Sequence, residues 1–103
     1  MQDRTGQVAV IFTSQRRAND PAGYGAAAAA MEALAAVQPG FCGMDSARGA
    51  DGFGITISWW VDEAAALAWR QNAEHALVRQ QGRDDWYEGY AVAVGRSYAW
   101  SCG

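Results

Sequence analysis

The stretch "FGITISWWVDEAAALAWR", residues 53–70, passes from an extended run into a helix, and that passage decides the fold. Residues 53–61 read as a strand. On it the adjacent Trp59 and Trp60 must point to opposite faces, so one indole enters the core and the other the second face of a sheet. Asp62 then suits a helix cap, and Glu63 sits in the first turn, where the positive end of the helix dipole favours an acid. Trp69 is expected on the buried face of that helix.

Working outward, "GADG" (49–52) reads as a turn that joins 53–61 to an earlier extended segment, 41–48, giving a hairpin. Ahead of it, "GQVAVIFTSQ" (6–15) carries Val8, Val10 and Phe12 in alternation with Ala9, Ile11 and Thr13, a strand apolar on both faces. Asn19 or Asp20 can cap the helix that follows, with Pro21 in its first turn. That helix, 21–37, places Tyr24, Ala27, Met31, Leu34 and Val37 on one stripe and stops at "QPGF" (38–41). Asn72 can serve as a second cap, so a break is expected near Gln71–Asn72, with a further helical piece over 73–82 ended by Gly82. The last strand is "YAVAVGRSYAW" (90–100), large residues on one face and small ones on the other.

The order is strand, helix, strand, strand, helix, strand, within a single domain of 103 residues. It predicts an α+β, ferredoxin-like βαββαβ fold with a four-stranded antiparallel sheet. Helices cover only one face of such a sheet, whereas these strands are apolar on both, so a homodimer packed face to face is expected.

Composition narrows the function. Eleven acids stand against eight arginines and no lysine, a net charge of −3, and the arginines are scattered. Nucleic acid is a poor partner for such a chain. No run of about 18 apolar residues is present to cross a membrane, and "MQDRTGQ" lacks the apolar core of a signal peptide. A soluble, cytoplasmic protein is the expectation. Cys42 and Cys102 show neither zinc nor redox spacing, so no metal site is expected and both read as free thiols.

All five tryptophans lie beyond residue 58, and residues 68–87 gather Trp69, the single histidine His75, Arg79, Arg83, Trp86 and Tyr87. "QPGF", "ISWWVDEAAALAWR", "NAEHALVRQQGR" and "WYEGYAVAVGRSY", in this order, resemble the antibiotic biosynthesis monooxygenase family over about residues 7–102. The resemblance implies a dimeric α+β barrel with a pocket inside each monomer, between sheet and helices. Members with known activity oxidise phenols or hydroquinones, often polycyclic aromatic polyketides, to quinones with molecular oxygen and without metal or flavin. Other relatives bind and break haem, and many have no established activity, so fold alone does not fix function.

Cofactor-free oxygenation needs a base, a donor and aromatic walls. Imidazole titrates near neutrality, so His75 is the candidate base, and Arg79, four residues on, can hold an oxyanion from the same helical stripe. Trp59, Trp60, Trp69, Trp86, Tyr87 and Tyr90 are candidate substrate-binding residues, walls for a small aromatic molecule. Each has a plainer reading: core packing for the tryptophans, strand ties for the tyrosines, a hydrogen-bonding histidine, and a solvated face for Arg70, Arg79 and Arg83. On ideal helical spacing Trp69 and His75 do not share a face; a break at Asn72 would be needed to join them. Haem is the alternative cofactor, with His75 as axial ligand. It is disfavoured because "VAVIFTSQ" lacks the first-strand asparagine of haem-degrading relatives and Trp69 stands closer to His75 than the matching pair does there. A non-catalytic dimeric module that binds an apolar small molecule is the competing reading of the whole chain.

Overall fold

The computed structural model describes residues 3–16, 21–79 and 87–98, and side-chain surroundings for 3–15, 29–75 and 91–98. Strand β1 (Val8–Arg16) leads to helix α1 (Pro21–Ala36), the hairpin β2 (Phe41–Arg48) and β3 (Phe53–Trp60), helix α2 (Glu63–Arg79) and strand β4 (Tyr87–Arg96). The sheet order is β2-β3-β1-β4 and every neighbouring pair is antiparallel. This is the ferredoxin-like arrangement that the element order predicts.

Turn chemistry sets the hairpin. Gly49 N donates to Phe53 O at 2.8 Å and Gly52 N to Gly49 O at 3.0 Å, while Asp51 Oδ1 accepts from Phe53 N at 3.1 Å. Gly52 has φ +89°, a conformation that costs glycine little. At the other end of β2, α1 stops at Ala36 and Pro39–Gly40 reverse the chain, with Phe41 N donating to Gln38 O at 3.3 Å.

Register divides the sheet cleanly. Val8, Val10, Ser58, Trp60, Val92 and Val94 share the helix-covered face, and Ala35, Ala66 and Trp69 close over it. Met31, Leu34, Phe41 and Met44 pack around that cluster. Val37 does not join it: the stripe ends with the helix, and Val37 is 76% exposed, whereas Ala35 is fully buried. The opposite face carries Ala9, Ile11, Ile57, Trp59, Ala91 and Ala93, and among the described residues neither helix adds a side chain to it.

Two elements differ from expectation. Helix α2 runs unbroken from Glu63 to Arg79, through Gln71 and Asn72. Asn72 is a permissible helix residue as well as a good cap, and its side chain instead reaches Gln38 Oε1 at 3.4 Å, tying α2 to the end of α1. Strand β4 begins at Tyr87 rather than Tyr90, because pairing with β1 continues to Arg16 across a bulge. It ends at Arg96 instead of Trp100. The expected caps Asn19 and Asp20, the stop at Gly82, and Trp86, Trp100 and Cys102 lie outside the described residues.

Candidate functional site

The site is built around the junction of β3 and α2. Asp62 Oδ1 accepts from Ala65 N at 2.8 Å, which caps α2, and Glu63 stands in the first turn as the dipole favours. Two residues before Asp62, at the end of β3, Trp60 is fully buried on the helix side. Its ring stacks on Trp69 at 5.6 Å between centroids and 25° between planes, and meets Phe41 edge-on at 5.6 Å and 76°. Trp60 Nε1 donates to Ser58 Oγ at 2.9 Å, so the buried indole N–H is satisfied within the strand.

Trp69 joins this core to a cleft of about 360 Å³, lined by Gln38, Pro39, Gly40, Val61, Asp62, Ala64, Ala65, Ala68 and Trp69. The chain is drawn close there by Gly40, whose φ is +84° and on which a Cβ would lie 2.7 Å from Ala65 Cβ and 2.9 Å from Val61 Cγ1. Apart from Asp62 and Gln38 the walls are apolar. Both polar groups are already engaged: Asp62 caps α2, and Gln38 Nε2 donates to Leu34 O at 3.1 Å. Such a cleft can hold a flat apolar molecule against small side chains and an indole edge. It offers little acid or base chemistry.

His75 is exposed on α2. In an unbroken helix it lies six residues beyond Trp69, about 9 Å further along and about 120° around the axis, so the two are not brought together. Arg70 and Glu74 pair across one turn of the same helix at 3.4 Å, both side chains near half exposed. Arg79 closes the helix and Tyr87 and Tyr90 lie in β4, opposite Arg16 and Ser14; their side chains lie outside what is described. Trp59 is on the other sheet face, 8% exposed, donating from Nε1 to Asp45 Oδ2 at 3.1 Å beneath the Arg4 guanidinium. Of the three candidate walls whose side-chain surroundings are described, Trp59, Trp60 and Trp69, only Trp69 lines the cleft.

Sequence reading missed two groups on the helix side. Ser58 is the acceptor that lets Trp60 be buried, signalled only by a serine that alternates with tryptophan along β3. Arg48, at the end of β2, donates to Ser14 Oγ at 2.8 Å and to Gly52 O, lying across Gly54, where a Cβ would come within 2.5 Å of its Cζ. An arginine beside a hairpin turn carries no signal of that reach in sequence.

Around His75 the neighbouring turn presents Gln71 and Asn72, both exposed, next to the Arg70–Glu74 pair. A haem needs an apolar slot beside its axial imidazole, and among the described residues beside His75 these polar, exposed side chains do not form one. Among the described residues, no three His, Cys, Asp or Glu side chains converge on a common point.

These features define a small ferredoxin-like α+β protein with an apolar, tryptophan-edged cleft at the start of its second helix. The chain belongs to the antibiotic biosynthesis monooxygenase family, whose model matches residues 8–81. The uncharacterised protein YqjZ of Bacillus subtilis is 50% identical over 88 residues, 85% of this chain and 76% of that protein. The jasmonate monooxygenase ABM of Pyricularia oryzae is 36% identical over 45 residues, which are 44% of this chain and 21% of that protein. Among solved structures, a mutant of SnoaB, a cofactor-independent oxygenase from Streptomyces nogalater, superposes with a TM-score of 0.77 at 16% identity, covering 96% of this chain and all of that one. At that identity the likeness concerns the fold.

Proposed function

We propose that this chain is a cofactor-independent monooxygenase of a flat, electron-rich phenolic or quinol-like aromatic. The observation that carries the reading is the apolar cleft edged by Trp69, in a chain that belongs to a monooxygenase family. A phenol that supplies its own electrons needs no external reductant: phenol and dioxygen give quinone and water, one oxygen atom entering the ring and the other leaving as water. The protein's part is then to bind and orient the ring, exclude competing chemistry and help the phenolic proton leave. Trp69 is proposed as the wall that meets the ring with its indole edge; His75 and Arg79 do not line the cleft, and are proposed as proton acceptor and oxyanion holder only for a substrate that extends from the cleft along α2. Molecular oxygen is the co-substrate. A homodimer packed through the uncovered sheet face and a cytoplasmic setting belong to the same proposal. It is supported by the exposed Phe53 and Ile55 on that face, and by the fact that no helix among the described residues is long and apolar enough to cross a membrane.

A second reading is favoured by one observation: His75 is exposed and turned away from the cleft. On that reading the cleft binds an apolar molecule without transforming it. Oxygen uptake by protein stripped of metal and flavin, measured against a panel of phenols and naphthols, separates the two. Uptake above the autoxidation rate that falls when Trp69 is replaced by leucine supports the oxygenase. Binding without uptake supports the module, and His75→Ala with full turnover removes His75 from the mechanism while leaving the oxygenase in place.

A further inference from the structure

The apolar cleft has a polar edge that lies away from Asp62. Gln38 lines the cleft, and Asn72 Nδ2 reaches across from α2 to donate to Gln38 Oε1 at 3.4 Å. Asn72 stands one turn beyond Ala68, another lining residue, on the same stripe of the helix. Asp62, the other polar side chain of the cleft, caps the start of α2, about 15 Å from Asn72 along the helix axis. The cavity therefore has two polar ends with small apolar side chains and the Trp69 edge between them.

The amide end has hydrogen-bonding capacity to spare. Its 3.4 Å contact is longer than the usual range of about 2.7–3.2 Å, so a group that enters between the two amides gives up little. Each amide carries two N–H donors and an oxygen with two lone pairs. Gln38 Nε2 gives one N–H to Leu34 O at 3.1 Å. Among the described residues, that leaves a second N–H on each amide and the Asn72 oxygen. A hydroxyl, which donates and accepts at once, matches this set; a hydrocarbon matches none of it.

Neither end of the cleft favours an anion. The N–H groups that open α2 would attract one, but the Asp62 carboxylate already faces them, accepting from Ala65 N at 2.8 Å, with Glu63 next to it. At the amide end, Gln38 N and Nε2 donate to Ala35 O and Leu34 O, the closing carbonyls of α1, which carry the negative end of its dipole. The cavity, about 360 Å³, lies near the lower bound of small-molecule sites, roughly 300–1,000 Å³, which suits one or two fused rings.

We infer that the cleft takes a neutral aromatic of one or two rings, with the ring against Trp69 and a hydroxyl between the amides of Gln38 and Asn72. That pair distinguishes a phenol from the bare hydrocarbon, a role the apolar walls cannot fill. This rests on the cleft as the binding site proposed above and adds the orientation of the ligand within it. A hydroxyl so placed is one turn of α2 from His75.

Equilibrium dialysis without dioxygen, against naphthalene, 2-naphthol and 2-naphthoate at neutral pH, where only the last is ionised, tests this apart from any turnover. The wild type is expected to hold 2-naphthol about three- to tenfold more tightly than naphthalene, the net worth of one hydrogen bond. It should hold 2-naphthoate no more tightly than naphthalene. Asn72→Ala is expected to bring 2-naphthol down to the affinity of naphthalene and to leave naphthalene unchanged. Gln71→Ala, which removes an exposed amide one residue earlier, should keep the wild-type preference. Equal loss of both neutral ligands in Asn72→Ala, or a preference for 2-naphthol that survives it, would overturn the role of the amide pair. Tighter binding of 2-naphthoate than of 2-naphthol would overturn the selection for a neutral ligand. No binding of any of the three would overturn the cleft as a site and the proposed function with it. The expected binding in a chain that consumes no oxygen would support the inference and refute the oxygenase alone.

Discussion

Trp60 is buried completely, yet its N–H is not left without an acceptor, because Ser58 occupies the same face two residues earlier in β3. Removing the indole empties the space between β3 and α2 and strips Trp69 of its stacking partner. Trp60→Ala is therefore expected to cost about 3–5 kcal/mol, read as a shift of the urea midpoint at unchanged slope. Gly40 is the second residue on which the site depends. Alanine there would combine a strained backbone with contact against Ala65 and Val61, so Gly40→Ala is expected to destabilise by about 1–3 kcal/mol in the same assay. The opposite orientation of Trp59 and Trp60 was legible from their adjacency on a strand. Which of them enters the core was not, since that follows from the register with β1 and from the placement of α2, neither of which two adjacent identical residues encode.

At the scale of the element, α2 holds the largest difference between sequence and structure. Asp62 and Asn72 carry the same capping signal, and only Asp62 uses it: its carboxylate accepts from Ala65 N, whereas the Asn72 amide donates to Gln38 across the α1–α2 contact. Local sequence offers both sites, and tertiary packing selects one. Asp62→Ala is expected to lower stability by about 1 kcal/mol in thermal unfolding, while Asn72→Ala should move it by less than about 0.5 kcal/mol. The continuity of α2 also decides where His75 goes. With no bend to swing it, the imidazole stays on the exposed side, and the grouping of His75 with Trp69 that residues 68–87 suggest in sequence is not a grouping in space. A chain quoted in one line brings together residues that a helix distributes around its axis.

For the whole molecule, alternation and turn chemistry were enough to read all six elements in order, because strands apolar on both faces and a hairpin turn with glycine at its close leave few ways to build a sheet. The cleft was beyond that reading. Its walls come from the α1–β2 turn and the first half of α2, joined through Gly40 and through alanines with no chemical signature of their own. Function at this scale rests on whether the apolar cleft hosts a reaction or only a ligand. The most direct measurement is turnover of an electron-rich phenol under isotopically heavy dioxygen, by protein freed of metal and flavin, with the quinone examined by mass spectrometry. We predict one heavy oxygen atom in each quinone formed, at a rate that falls with Trp69→Leu. Quinone that carries no heavy oxygen, or forms no faster than without protein, would contradict a monooxygenase and leave the chain as a binding member of its family.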